Sequence, residues 1–363
     1  MFCHCEKAVA DEAIPRRIAS SLLLAMTALA IFLPSVVFAA PNDALLSVYS
    51  YRADLRKAFD RADSYQAAGP GAGFLIDLED WARQYGWRDY KSLSAYAPAS
   101  TPPAQVGHAA PPRTTASSYV VIDTSSGIVL AASHADTVWP IASLTKLMTS
   151  QIVLDSGTQL TKVFPVKTED DVGGAKLYVS NGDTFTLDGL LYATLVGSAN
   201  NAANAITRAT GKSKPDFVRE MNARAAALNL GRTKYVDPTG IETGNVSTAR
   251  ELALVAGNAF SRPDVKRYTT TAKASISVLS QGTVKTIKNT NWMLWKPQYD
   301  HVFVTGGKTG YLVESGWNLA VALRPSAKNE KRELLVVLFG AESRAASFED
   351  ADALSSWAWK NFK

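Results

Sequence analysis

Cysteine is almost missing from this 363-residue chain, and the two present, Cys3 and Cys5, both precede an apolar run that starts at Ile18. That run, IASSLLLAMTALAIFLPSVVFAA, follows Arg16-Arg17 and ends in Val37-Phe38-Ala39. Positive flank, apolar middle and small-residue end are the parts of an export signal, expected over 1–39. Cleavage after Ala39 leaves no cysteine, which excludes disulfides, a thiol nucleophile and thiolate-bound zinc. Left uncleaved, the 23 residues from Ile18 to Ala40 could span a bilayer and tether the protein to a membrane, although Pro34 favours cleavage. Histidine is sparse too. His108, His134 and His301 are scattered, with no H-E-x-x-H spacing, so neither a metal nor another cofactor is expected. Dense basic runs are also absent: 38 Lys and Arg stand against 33 Asp and Glu, a net +5 with no cluster to track a nucleic-acid backbone. No internal repeat is visible. Hydrophobic residues make up 47% of the chain, enough to bury a core without staples.

Composition divides the chain. Residues 40–96 read as a small helical segment, with Leu45, Val48, Leu55 and Phe59 at helical intervals, a Gly/Pro/Ala break at 69–73, and Trp81, Tyr85, Trp87 and Tyr90 as its expected core. A Pro/Ala/Ser/Thr-rich stretch, 97–117, reads as an extended linker. From Ser118 to residue 363 the pattern is that of a folded domain. Two apolar runs around Thr124-Ser125-Ser126-Gly127 predict a hairpin, and mostly helical segments follow to about residue 260. Strand-like runs return as HVFVTGG, WNLAVALRP and RELLVVLFGA, and a closing helix from about Ser347 to Phe362 carries Phe348, Leu354, Trp357, Ala358 and Phe362 on one stripe. This order implies an α+β arrangement: one antiparallel sheet whose first and last parts join across a helical insertion, with the last helix packed on it.

Three short motifs carry chemistry. Pro140 is expected to open a helix that Gly157 ends, with Leu144, Leu147, Met148 and Ile152 on its apolar positions. Ser143 and Lys146 are three apart on it and so share a face. A lysine desolvated on an apolar helix favours its neutral form and can take the serine's proton. Taken alone, S-x-x-K arises by chance in many chains. Ser198-Ala199-Asn200 sits on a turn between two predicted helices, which alone reads as turn chemistry. Val304-Thr305-Gly306-Gly307-Lys308-Thr309-Gly310-Tyr311 contains a Gly-Lys-Thr, but a phosphate-binding loop needs glycine where Val302 stands, and a helix after the loop rather than the strand-like WNLAVALRP. Read instead as the end of a strand, its glycines admit a close neighbour, and Lys308 and Thr309 suit a carboxylate.

The order S-x-x-K, S-x-N, K-T-G at 143, 198 and 308 is far more specific than any one part. With it, residues 118–363 resemble the serine-type D-Ala-D-Ala peptidases, the low-molecular-weight penicillin-binding proteins, which share their fold with serine β-lactamases. The D-P-T-G turn at 237–240 and the N-V-S-T-A-R-E-L run from Asn245 are most similar to the endopeptidase-like members. The resemblance implies a sheet flanked by helices with an all-helical subdomain. It implies Ser143 as nucleophile, Lys146 as its base, Ser198 as a proton relay to the leaving amine, and Asn200 as a hydrogen-bond partner of the substrate backbone. Lys308, Thr309, Gly310 and Tyr311 would bind substrate: the first two hold its carboxylate, and the N–H groups of Ser143 and Tyr311 form the oxyanion hole. Lys308 would further depress the pKa of Lys146. The implied partners are peptidoglycan stem peptides and β-lactam antibiotics, and the implied place is the periplasm or cell-wall space. Whatever localises the protein is expected in residues 1–117, since the chain stops after its last predicted helix. Two rivals remain: a β-lactamase, for which Glu242-Thr243-Gly244-Asn245 is suggestive although its Asn is one residue short of the class A spacing, and a non-catalytic domain that binds wall or antibiotic. Asp237-Pro238-Thr239-Gly240 is expected to shape one wall of the site, and Thr248-Ala249-Arg250-Glu251 to cap a helix as a capping box.

Overall fold

The computed structural model describes residues 103–363. The expected signal, the helical segment 40–96 with its aromatic cluster, and residues 97–102 of the expected linker lie outside the described residues. In chain order the strands and α-helices are β1 (Ser118–Asp123), β2 (Val129–Ser133), β3 (Trp139–Pro140), α1 (Thr145–Asp155), β4 (Val163–Pro165), β5 (Thr184–Thr186), α2 (Leu187–Leu195), α3 (Asn200–Ala209), α4 (Lys214–Ala227), β6 (Val246–Ser247), α5 (Ala249–Ser261), α6 (Pro263–Thr269), β7 (Lys273–Val278), β8 (Thr283–Lys288), β9 (Phe303–Leu312), β10 (Gly316–Arg324), β11 (Leu334–Ala341) and α7 (Arg344–Asn361).

Five of the strands form one sheet in the order β2-β1-β11-β10-β9, every neighbouring pair antiparallel. The first two strands of the described chain thus pair with the last three across the helical insertion. The central strands are apolar on both faces because both faces are covered. Val120, Ile122, Ala320, Leu335 and Val337 point into the core shared with the insertion helices. Their alternates Val121, Leu319, Val321, Val336 and Leu338 pack with Phe348, Leu354 and Ala358 of α7, which lies on the opposite face. The β9 strand is left at the sheet edge, facing the insertion.

Several local expectations are corrected. Trp139-Pro140 does not open a helix. It pairs with Val246-Ser247 as a short ribbon, Ala142–Leu144 forms a 3-10 turn, and α1 begins at Thr145. The Lys308 motif lies inside β9 rather than at its end. The β7–β8 hairpin, which the sequence reading passed over, pairs Lys273 with Lys288 through Val278 with Thr283. The capping box at α5 is half formed: Thr248 Oγ1 accepts from Glu251 N–H at 3.0 Å, whereas the Glu251 carboxylate accepts instead from Arg232 N–H and from Thr233 Oγ1 at 2.6 Å, two donors at once. Residues 103–117 are extended, but they are held along the end of the chain rather than free. Ala104 and Lys363 exchange backbone hydrogen bonds, Val106 N–H reaches Asn361 O at 2.8 Å, and the Asp350 carboxylate accepts from the N–H groups of Thr115 and Ala116.

Candidate active site

Ser143 sits on the 3-10 turn between β3 and α1, and the turn is pressed between two glycines. A Cβ on Gly240 would lie 2.0 Å from Ala142 O, and one on Gly310 would lie 2.9 Å from Ile141 O and 3.2 Å from Ser143 N. Only a residue without a side chain lets the 237–240 turn on one side and β9 on the other close so tightly on the serine. Ala142 takes the strained φ of 48° that this squeeze requires.

Lys146 follows one turn later and is fully buried. Its Nζ lies 2.9 Å from Ser143 Oγ, 2.7 Å from Asn200 Oδ1 and 2.6 Å from Thr239 O. Burial lowers its pKa to about 7, opposed by the negative charge of Asp237. A neutral amine has two hydrogens and one lone pair. With Asn200 Oδ1 and Thr239 O as fixed acceptors for the two hydrogens, the lone pair is left for the Ser143 hydroxyl proton. Asp237 does not touch the lysine. Its buried carboxylate accepts from the N–H groups of Thr239 at 2.6 Å, Gly240 at 2.9 Å and Glu242 at 3.0 Å and from Asn245 Nδ2 at 2.6 Å, and so locks the turn that aims Thr239 O. The D-P-T-G wall expected from sequence is therefore in contact with the lysine itself.

The second motif enters from the turn between α2 and α3. Ser198 has φ 59°, a left-handed conformation that costs an ordinary residue about 1–2 kcal/mol, and its Oγ accepts from Lys308 Nζ at 2.8 Å. Asn200 opens α3 with both ends of its amide taken: Oδ1 by Lys146, and Nδ2 by Gly173 O at 2.7 Å. The second Nδ2 hydrogen and the second Oδ1 lone pair are left for the expected contact with a substrate backbone.

The third motif is on β9. Gly306 and Gly307 face Phe260 and Asn291 so closely that a Cβ on either would lie 2.4 Å from them, and this brings the strand against the insertion. Lys308 is buried beside Ser198, and its pKa is lowered by burial first and then by the charges of Lys146 and Arg344. The two buried lysines repel each other, which disfavours charging both, while the negative charge of Asp237 favours the ammonium form of Lys146. Thr309 Oγ1 donates to Thr290 Oγ1 at 2.7 Å. Tyr311 brings its backbone alongside the serine turn through Gly310, while its exposed ring stacks on Trp317 at 4.3 Å.

Two residues the sequence reading missed complete this end. Arg344 donates to Thr290 O at 2.7 Å, and its buried Nε has no hydrogen-bond partner among the described residues. A guanidinium beside Lys308 with a donor unused suits an anion. A signal existed: Arg344 is the first residue of α7, where the helix dipole disfavours a positive charge. Among the described residues, His301 pairs with Asp352 on the surface at 2.8 Å, away from these contacts. Together, a buried neutral base on a serine, a second lysine on a second serine, and a cationic end can carry out acyl transfer to Ser143 from a substrate with a carboxylate beyond the scissile bond.

Comparisons with known proteins give the chain its relatives. Residues 105–343 match the family model described as D-alanyl-D-alanine carboxypeptidase. The chain is 33% identical over 273 residues to the D-alanyl-D-alanine endopeptidase of Pseudomonas aeruginosa, covering 74% of this chain and 85% of that relative. Among solved structures it is similar to the D-alanyl-D-alanine carboxypeptidase of Mycobacterium tuberculosis, with 24% identity, a TM-score of 0.63, and 70% of this chain matched to 95% of that one. It is also similar to a penicillin-binding protein of Listeria monocytogenes in its cefotaxime-bound form, with 24% identity, a TM-score of 0.60, and coverage of 69% and 100%.

Proposed function

The chain belongs to the D-alanyl-D-alanine carboxypeptidase family of serine peptidases, and on that premise we propose that it is an exported peptidoglycan peptidase that works through an acyl-enzyme on Ser143. Neutral Lys146 takes the Ser143 proton as Oγ attacks the carbonyl of the penultimate D-alanine. The N–H groups of Ser143 and Tyr311 receive the developing oxyanion, where one donor is worth roughly 3 kcal/mol in other hydrolases. Ser198, held by Lys308, relays that proton from Lys146 to the departing amine, which returns Lys146 to its neutral form. Lys308, Thr309 and Arg344 hold the carboxylate of the leaving group, whose negative charge favours the ammonium form of Lys308 that burial disfavours. Asn200 keeps the Lys146 lone pair on the serine. Water then releases the acyl group, with Lys146 again as base. The leaving group is a terminal D-alanine or the diaminopimelate end of a D-alanine crosslink. A β-lactam, cyclic amide and carboxylate in one, acylates the same serine. We assign the action to the periplasm or cell-wall space, by way of the signal expected in residues 1–39.

The observation that carries this reading is the buried Lys146 Nζ, 2.9 Å from Ser143 Oγ with a pKa of about 7. The β-lactamase reading lacks its carboxylate: Glu242 is exposed, and the three acceptors around Lys146 are a hydroxyl, an amide oxygen and a backbone carbonyl. Digestion of purified muropeptides, read by mass spectrometry, tests the proposal. Free D-alanine from pentapeptides or monomers from crosslinked dimers is the expected result, abolished by Ser143→Ala. Rapid turnover of penicillin without action on muropeptides would favour the lactamase, and absence of any covalent penicillin label would favour a non-catalytic domain.

A further inference from the structure

Beside the carboxylate end of the site lies a surface that the mechanism above does not use. Thr290, which accepts from Thr309 and Arg344, is followed by a segment in which cations rest on tryptophan faces. Lys296 Nζ is 3.1 Å from the Trp292 ring centre, and Lys288 Nζ, at the end of β8, is 3.3 Å from that of Trp295. Arg344 lies 4.9 Å from Trp292 and 5.7 Å from Trp317. The rings are themselves fixed: Trp292 stacks on Phe348 at 5.5 Å, and Trp295 Nε1 donates to Asn289 O at 3.0 Å. Several arginines elsewhere are matched to carboxylates, as Arg208 to Asp170, Arg262 to Asp264 and Arg324 to Glu333. Lys288, Lys296 and Arg344 form no ion pair among the described residues, and residues 281–299 contain Lys285, Lys288 and Lys296 but no Asp or Glu. A ring face holds an ammonium in place while leaving its outward hydrogens free.

We infer that this tryptophan-backed cationic patch is the subsite for the leaving stem peptide of a crosslink, an acidic peptide, so that the protein favours crosslinked substrates. The inference rests on the peptidase reading. A terminal D-alanine brings one carboxylate, and Lys308, Thr309 and Arg344 satisfy it. The leaving half of a crosslink is longer, and its glutamate adds a carboxylate behind the diaminopimelate. Thr290 links the carboxylate site to Lys288, two residues before it, and Lys296, six after it, and these would meet the added carboxylate.

The test compares the wild type with the double variant Lys288→Ala/Lys296→Ala on three substrates: a crosslinked tetrapeptide dimer, a pentapeptide monomer, and the dimer with its acceptor carboxylates amidated. Covalent labelling by fluorescent penicillin checks that the site is intact. The expected result is a roughly threefold to tenfold loss of kcat/KM on the dimer, mainly in KM and reduced by salt, as two exposed charge contacts allow. The pentapeptide and the amidated dimer should be unaffected. Equal loss on all three substrates, or no loss on the dimer, overturns the inference and leaves the peptidase reading standing. A wild type that is labelled by no penicillin and cleaves no substrate takes both down.

Discussion

Replacing Lys146 by methionine should change not only activity but the way stability depends on pH. The lysine is fully buried, and its pKa falls from 10.5 in the unfolded chain to about 7 in the fold. Between those values the unfolded chain binds a proton that the folded one does not, so the contribution of this group to stability rises with pH across that window. At 1.36 kcal/mol per pH unit its ionisation costs the fold on the order of 5 kcal/mol at pH 6, where both states are charged, and about 2 kcal/mol at pH 9. Methionine fills a similar volume and removes that cost, but it leaves Asn200 Oδ1 and Thr239 O without their donor, a loss of roughly 1–3 kcal/mol each. The sign of the net change at one pH is therefore not fixed by these numbers. Its change with pH is, because the lost hydrogen bonds contribute equally at pH 6 and pH 9. Lys308 titrates in both proteins and drops out except for its repulsion with Lys146. Urea unfolding of both proteins at the two pH values should give a stability difference, variant minus wild type, that is roughly 3 kcal/mol more favourable to the variant at pH 6 than at pH 9. Parallel stability curves would show that Lys146 is not desolvated and remove the basis for its role as base. The variant should also fail to react with penicillin at any pH.

Acylation of the wild type by penicillin should rise through about pH 7 and stand at about a tenth of its plateau at pH 6, since only neutral Lys146 accepts the proton; a flat stopped-flow profile from pH 5.5 to 8.5 would contradict this. A falling limb should follow well below pH 10.5 as Lys308 loses its charge. Arg344→Ala should lower kcat/KM for pentapeptide roughly tenfold to a hundredfold through loss of a charge-assisted contact, mostly in KM, with part recovered by Arg344→Lys; an unchanged KM would remove Arg344 from the carboxylate site. Gly240→Ala places a Cβ 2.0 Å from Ala142 O at φ 84°, and should cost roughly 2–4 kcal/mol in urea unfolding while slowing acylation more than a hundredfold by displacing Ser143. Wild-type values for both would mean that the glycine wedge does not position the serine.

What the sequence disclosed and what it hid separate along a physical line. The Ser143–Lys146 pair was legible because a three-residue spacing sets contact in either kind of helical turn, so misplacing the start of α1 did not disturb it. The central strands were legible because burial on both faces leaves long apolar runs such as LLVVLFGA. The β7–β8 hairpin was not. Its first strand does alternate, with Ala274, Ile276 and Val278 buried between polar residues and the last two in the core, but its second, TVKTIK, buries none, so only half of the pair carries a period-2 signal. Proline content marked 97–117 as a linker, but no local rule says that its described part will meet Asp350 and Asn361 more than two hundred residues later. The same limit hid the anion end of the site, which joins Thr309 on β9, Thr290 after β8 and Arg344 on α7, residues ordinary in their own neighbourhoods. Arg344 alone broke a local preference, as a cation at a helix N-terminus with a buried donor unused. The helix dipole disfavours that placement by only about 0.3–1 kcal/mol, which the Thr290 carbonyl and the Trp292 and Trp317 faces offset, and the described residues supply no carboxylate there. In the proposed reaction the substrate brings one.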